Sequence, residues 1–291
     1  MKRSTERILT THTGSLPRPD GVAKLMVARA EGKPVDDAVF DRAVSDAVEA
    51  SVRKQVELGV DVIDDGEQSK SGFIAYLNER LDGFTPNLKP RGGRPFDGSR
   101  EVLAFPEFYS EGRLPGGQVH NAVCTGPISY KGDAALQRDL ANLKRAAAGK
   151  PIADVFVPSA SPASVEGWQH NEYYKKEDEY LYAIAEAMRH EYQAIVDGGF
   201  LLQLDDPFLA MYYMMNPDAT VADVVKWGRL RVDAMNHAVR DIPPERIRYH
   251  TCYGINMGPR TSDLELKHFI DLVLSVKAGA FSFEAANPRH A

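Results

Sequence analysis

The stretch VRKQVELGVDVIDDGE, residues 52–67, contains the end of a helix, a glycine, a short apolar strand and a group of acidic residues. Apolar side chains from Phe40 to Val56 recur every four positions, which predicts an amphipathic helix. Gly59 follows this helix, as glycine often does at a helix end, and the strand then leads to Glu67. The stretch therefore predicts a helix followed by a strand whose carboxyl end carries polar groups.

The same unit recurs along the chain. A helical stripe over 181–195 leads through glycines to the strand FLLQL and Asp205, and a stripe over 266–274 leads to AFSF and Glu284. A fourth helix, over 221–239, precedes the strand RIRYHTC. Two more strands are predicted in ILTTHTG near the N-terminus and in ADVFVPSAS, which is preceded by a Leu/Ala-rich helix.

Strands that alternate with helices predict parallel pairing, and their nearly continuous apolar character predicts a sheet buried on both faces. Either a barrel or a doubly wound sheet satisfies this pattern. Because no strand leads into a glycine-rich phosphate turn of the GxGxxG or GxxxxGKS kind, the pattern favours an α/β fold of the (β/α)₈ TIM-type barrel class.

Six strands are predicted where a closed barrel needs eight, so we expect the barrel to be incomplete at the C-terminus. We expect residues 1–291 to form a single barrel catalytic domain. Within it, the Pro-, Gly- and Arg-rich segment at about 81–120 is expected to be a loop excursion over the barrel mouth.

The composition and charge of the chain exclude several functional classes. The 291 residues carry a net charge of −6, and their basic residues are scattered, so neither a nucleic-acid partner nor an anionic membrane surface is expected. The sequence contains no apolar run long enough for a membrane span and no signal peptide, which predicts a cytoplasmic protein acting on small molecules. The two cysteines indicate no disulfide framework.

A candidate metal site lies on the last two predicted strands. His250 and Cys252 are two residues apart, so their side chains point to the same side of the sheet. Glu284 ends the next strand and adds a carboxylate beside them. Nitrogen, sulfur and oxygen donors of this kind suit Zn²⁺. The alternative is that the histidine and the cysteine are ordinary core residues of a buried strand.

These residues resemble the cobalamin-independent methionine synthase family, particularly its short, single-barrel members. HTCYG at 250–254 and FSFEAANPRH at 281–290 look like the family's first three zinc ligands, which implies metal binding by His250, Cys252 and Glu284. The family's last ligand, a cysteine, has no counterpart in this sequence.

Further motifs follow in the family's order and imply a substrate site. THTGS resembles the turn that holds the amino-acid carboxylate, which implies substrate binding by Gly14 and Ser15. DDGEQ and QLDDP are similar to the segments whose acids face homocysteine, which implies catalytic and substrate-binding roles for Glu67 and Asp205. Trp168, after PSASP, matches a tryptophan that stacks on folate. Without the resemblance, both acids would be interpreted as helix caps.

The implied activity is a zinc-dependent methyl transfer from 5-methyltetrahydrofolate, or its polyglutamate, to homocysteine, giving methionine. Methyl-folate is then a co-substrate and Zn²⁺ the cofactor. The alternatives are alkyl transfer to another thiol such as coenzyme M, a zinc hydrolase, a metal-free barrel similar to uroporphyrinogen decarboxylase, and an inactive fragment.

Overall fold

The computed structural model describes residues 1–86, 96–110, 122–254, 258–287 and 290. Its strands form two sheets. The larger sheet is parallel throughout and consists, in spatial order, of β1 (Val62–Ile63), β4 (Asp154–Ala160), β6 (Leu201–Asp205), β7 (Ile247–Thr251) and β8 (Ala280–Phe283). The smaller sheet has the order β2 (Leu81–Pro86), β3 (Ala122–Tyr130) and β5 (His170–Asn171).

Helices connect these strands and cover the larger sheet. The long ones are α1 (Asp20–Ala30), α2 (Asp37–Glu57), α6 (Asp133–Ala147), α8 (Glu177–Asp197) and α10 (Val221–Ala238). The shorter ones are α3 (Leu77–Arg80), α4 (Arg100–Ala104), α5 (Pro106–Ser110), α7 (Pro162–Trp168), α9 (Phe208–Met215) and α11 (Ile270–Leu274). Two 3₁₀ turns, Pro244–Arg246 and Leu266–His268, precede β7 and α11.

Every residue of β6 and β7 is buried, because helices cover the outer face of the sheet and the strands line its interior. α8 supplies much of the cover through a stripe that includes Leu181, Ile184 and Met188. α2 begins at the N-cap Asp36, whose side chain accepts a hydrogen bond from the Val39 N–H. These helices match the apolar repeats of the sequence.

The larger sheet is curled. Thr11 forms a parallel bridge with Val62, so the N-terminal segment lies beside β1 at one edge of the sheet. Arg248 belongs to β7, three strands away from β1 in the sheet order, yet its guanidinium donates to Thr11 Oγ1 at 2.8 Å and to the His12 carbonyl. A contact across that separation requires the sheet to curve around its interior. The predicted α/β barrel-type fold is therefore confirmed as a curled parallel half-barrel.

Five of the six predicted strands are regular strands of the larger sheet. The sixth, ILTTHTG, occupies its predicted place but is reduced to the single bridge at Thr11. Two features limit its pairing: Gly14 has a φ of 142°, and the following Pro17 and Pro19 lack the N–H that a ladder needs. The predicted helix over 266–274 is divided into a 3₁₀ turn and α11.

The predicted loop excursion at about 81–120 contains regular elements in its described part. β2, α4 and α5 lie there, and β2 pairs antiparallel with β3. The sequence of β2, LDGFTP, has the glycine and proline of a turn, and strand formation depends on its pairing with β3. The composition therefore did not reveal the smaller sheet. Residues 87–95 and 111–121 lie outside the described part.

None of the helices that the structure describes combines the length and the apolar character that a membrane crossing requires.

Candidate active site

Gly14 lies at the carboxyl end of the half-barrel, against the side chain of Glu67. A Cβ atom at position 14 would lie 2.9 Å from Glu67 Oε1 and 3.0 Å from Pro158 Cγ. Its φ of 142° is also rarely adopted by residues with a side chain. Both the backbone angle and the close approach therefore require glycine, and the turn brings the main chain directly to the carboxylate.

The backbone of Glu67 has a φ of 54°, in the left-handed region that residues other than glycine rarely adopt. Its N–H donates to Asp65 Oδ1 at 2.8 Å, and its carbonyl accepts from Arg18 Nη2 at 2.9 Å. These bonds hold the conformation. Backbone strain of this kind is often found at functional sites, where it fixes the direction of a side chain.

Asp205 ends β6 and is 8% exposed. Its Oδ1 accepts a hydrogen bond of 2.7 Å from Gln203 Nε2, which also donates to the Thr13 carbonyl at 2.6 Å. Burial, and then the negative charge of Glu67, raise the pKa of Asp205 well above its ordinary value. The structure therefore brings the two predicted acids into one electrostatic environment.

His250 is the register partner of Asp205 in the parallel ladder. Burial, followed by the charge of Arg248, lowers the pKa of His250 to about 4, so the imidazole is neutral near pH 7. Its Nδ1 lies 3.2 Å from Ser282 Oγ. A neutral ring held through one nitrogen has the arrangement typical of metal-binding histidines.

Cys252 follows the end of β7, on the same side of the strand as His250. Its pKa is raised to about 11, first by burial and then by the charges of Asp205, Glu284 and Asp206, although the Gly254 N–H lowers it. The thiol is therefore surrounded by carboxylates. A cation at this position would be needed to make it a thiolate near neutral pH.

Glu284 lies one residue beyond β8. In the ladder, His250 pairs with Ser282 and Thr251 with Phe283, so the same offset places Glu284 beside Cys252. Its side chain is nevertheless 45% exposed, with Oε2 at 3.4 Å from His290 Nδ1.

The predicted zinc ligands are thus neighbours along the strands, but they do not surround one point. Among the residues that the structure describes, no three His, Cys, Asp or Glu side chains gather in a group that could hold a metal ion. The donor types and strand positions of His250, Cys252 and Glu284 fit zinc. Metal binding stays a prediction.

Two predicted site residues are not brought into contact with these groups. Trp168 ends α7 and packs edge-to-face on Phe208, with ring centroids 6.0 Å apart. Its indole N–H has no partner within the described part of the chain. Ser15 is exposed, and no hydrogen bond from its side chain to a described residue is found. Their roles also stay predictions.

Several polar and charged residues of the site were not predicted as functional from the sequence, where His12 was interpreted as a core residue. Lys70 lies 3.3 Å from Glu67, and Arg248 lines the interior two residues before His250. His12 Nε2 lies 2.7 Å from Gln55 Oε1 and 3.3 Å from the buried Asp64. The two-residue spacing of Arg248, His250 and Cys252 was the available signal, because it places all three on one face.

Comparison with known proteins supports the resemblance. Residues 8–90 match the family model described as the catalytic domain of cobalamin-independent synthase. Methionine synthase from Sulfolobus acidocaldarius is 26% identical over 247 residues, covering 84% of this chain and 61% of the relative. That from Saccharolobus solfataricus is 27% identical over 247 residues, covering 84% and 62%. The chain is similar to the cobalamin-independent methionine synthases. It spans about three fifths of the length of these curated relatives.

Solved structures of methionine synthases have the same fold. A B12-independent methionine synthase from a Shewanella species, in complex with selenomethionine, has a TM-score of 0.59 at 18% identity, covering 84% of this chain and 61% of that one. A putative vitamin-B12-independent methionine synthase from Listeria monocytogenes has a TM-score of 0.60 at 22% identity, covering 86% and 67%. Both likenesses agree with the half-barrel described above.

Proposed function

We propose that this chain contains the catalytic domain of a methyltransferase that transfers a methyl group to the thiol of homocysteine. Methyltetrahydrofolate, or its polyglutamate, is the proposed donor, and zinc is the proposed cofactor. The observation that carries the proposal is the arrangement of Glu67 and Asp205 around the Gly14 turn, next to the strand end with His250 and Cys252. The motifs that contain these residues follow one another along the sequence in the order that the resemblance implies.

The acidic part of the site suits the ammonium group of an amino acid. Glu67 and Asp205 offer carboxylate oxygens in a largely buried environment, where a charge-assisted hydrogen bond is strong. Gly14 and Ser15 would receive the carboxylate through the turn. Asp205 pairs with His250 in the ladder, and its charge acts on Cys252. The thiol of a substrate whose ammonium group binds Asp205 would therefore extend toward Cys252.

Zinc would be held by His250, Cys252 and Glu284, with the substrate thiol as a further ligand. When bound, the ion supplies Lewis acidity that favours the ionised form of a thiol, whose ordinary pKa is about 8.5. The chain's own residues have separate tasks. Ser282 orients the imidazole of His250, and the acids align the thiol with the methyl group, since alignment contributes much of the rate of such transfers.

The donor would bind near α7, where Trp168 is proposed to stack on the folate ring. Selenomethionine, bound in the Shewanella enzyme, has the carbon skeleton of the product methionine with selenium in place of sulfur. This ligand supports the choice of homocysteine over coenzyme M, which lacks an amino acid group. The protein is proposed to act on small molecules in the cytoplasm.

A methyl-transfer assay with two thiols tests the proposal. The purified protein, supplied with zinc, is incubated with methyltetrahydrofolate as mono- and triglutamate and with homocysteine or coenzyme M. We expect methionine to form and coenzyme M to remain unmethylated, because it has no ammonium group for Glu67 and Asp205. Methylation of coenzyme M alone, or of neither thiol, would contradict the proposal.

A further inference from the structure

Lys70 is a buried cation at the edge of the candidate site. It is 7% exposed, and its Nζ lies 3.3 Å from Glu67 Oε2. The ammonium group also donates to the Pro158 carbonyl and lies 4.6 Å from the centre of the Tyr76 ring. A buried lysine that contacts a carboxylate, a carbonyl and an aromatic ring has little freedom to leave its position.

The main chain between Glu67 and Lys70 is fixed as well. Lys70 N–H donates to the Glu67 carbonyl at 3.2 Å, which closes a turn. Arg18 Nη2 donates to the carbonyls of Glu67 and Lys70, at 2.9 and 2.6 Å. Arg18 in the N-terminal segment therefore holds both ends of the turn that carries the two side chains of the ion pair.

The two carboxylate oxygens of Glu67 face different groups. Oε2 is next to Lys70, whereas Oε1 lies at Gly14, where it would be 2.9 Å from an added Cβ. Gly14 belongs to the turn proposed to hold the substrate. The ammonium group of a substrate whose carboxylate is held by this turn would meet Oε1, while Oε2 remains occupied by Lys70.

Electrostatics keep Lys70 charged. Burial by itself lowers the pKa of Lys70, but the charges of Glu67 and Glu191 raise it above its ordinary value. Lys70 in turn opposes the rise that burial causes in the pKa of Asp64. The positive charge of this one ammonium group thus offsets the negative charges of several acids in a buried region.

We propose that Lys70 is a positioning residue, which holds Oε2 of Glu67 so that Oε1 is presented to the ammonium group of the substrate. This inference rests on the proposed function. It assigns to Lys70 the selectivity for thiols with an α-amino group over thiols without one.

Titration calorimetry with two ligands tests this role. Homocysteine and its des-amino analogue, 4-mercaptobutyrate, share the thiol and the carboxylate and differ in the ammonium group. For Lys70→Met we expect the affinity for homocysteine to fall about tenfold or more, because Glu67 is no longer held toward the ammonium group and the charge-assisted hydrogen bond to it is weakened. The affinity for 4-mercaptobutyrate should hardly change, and Lys70→Arg should restore most of the preference.

A matched control is Arg231→Met. Arg231 is another buried cation, 2.7 Å from a Glu166 oxygen, between α10 and α7. Its loss should lower the thermal stability but leave the ratio of the two thiol affinities unchanged. If Lys70→Met weakens the binding of both thiols by the same factor, or leaves the wild-type ratio of the two affinities unchanged, the role of Lys70 is overturned. A wild-type protein without any preference for homocysteine would instead overturn the proposed function, and this inference with it.

A double variant covers the case in which Lys70→Met folds poorly. Removing the cation leaves the Glu67 carboxylate buried without its partner, so Lys70→Met with Glu67→Gln should be more stable than Lys70→Met alone. Thermal unfolding measures this difference. Additive losses of stability in the double variant would show that the two side chains are not coupled, and the positioning role would be rejected.

Discussion

Replacing Cys252 with serine is expected to lower the rate of methyl transfer to homocysteine on the order of 10³-fold, equivalent to about 4 kcal/mol of barrier. Cys252 is the proposed sulfur donor, and it follows β7, near Asp205, Glu284 and Asp206. A serine hydroxyl keeps the size of the side chain but is a poor zinc ligand, since soft thiolates suit this ion far better than a neutral hydroxyl does.

Cys124→Ser is the matched control, because this cysteine lies on β3, is fully buried and bonds to the Gly126 carbonyl at 3.4 Å. It lies in the smaller sheet, away from the proposed ligands. Methionine formation by the two variants and the wild type measures the effect. Equal rates for Cys252→Ser and Cys124→Ser would rule out a specific role for the Cys252 sulfur.

For Glu67→Gln, kcat/KM for homocysteine is expected to fall about 10²-fold, because a charge-assisted hydrogen bond to the substrate ammonium is replaced by a neutral one. Glutamine has nearly the same shape and can remain against Gly14. The loss should appear mainly in KM if the ammonium contact is made equally in the ground state and the transition state. Steady-state kinetics over a range of homocysteine concentrations separates the two constants.

The control for this substitution is Glu166→Gln, because Glu166 is another largely buried acid and pairs with Arg231 instead of facing Gly14. It should change stability and leave KM for homocysteine close to the wild-type value. An unchanged KM and kcat in Glu67→Gln would be incompatible with a substrate contact at this carboxylate, and the left-handed backbone of Glu67 would then need a purely structural reason.

The sequence predicted the larger sheet well because its signals are local. Each helix-glycine-strand unit can be recognised within about twenty residues of sequence. Parallel pairing then follows from the alternation of strands with helices. The acids at the strand ends, Glu67 and Asp205, could be placed in one region for the same reason. The carboxyl ends of parallel strands meet at one end of a barrel.

Features that depend on distant contacts could not be predicted in this way. β2 forms a strand by pairing with β3, although LDGFTP alone reads as a turn. Lys70 was missed because its role arises from Glu67, Pro158 and Tyr76 surrounding it in space. The approach of Glu284 to His290 likewise involves side-chain directions that strand register does not fix.

The zinc content of the purified protein tests most directly whether the strand-end residues form a metal site. Elemental analysis after growth with added zinc and extensive dialysis would compare the wild type with His250→Ala and Cys252→Ser. We expect about one zinc per chain in the wild type, from one set of three protein donors, and almost none in either variant. A wild type without bound zinc, or variants that retain as much as the wild type, would contradict the proposed metal site.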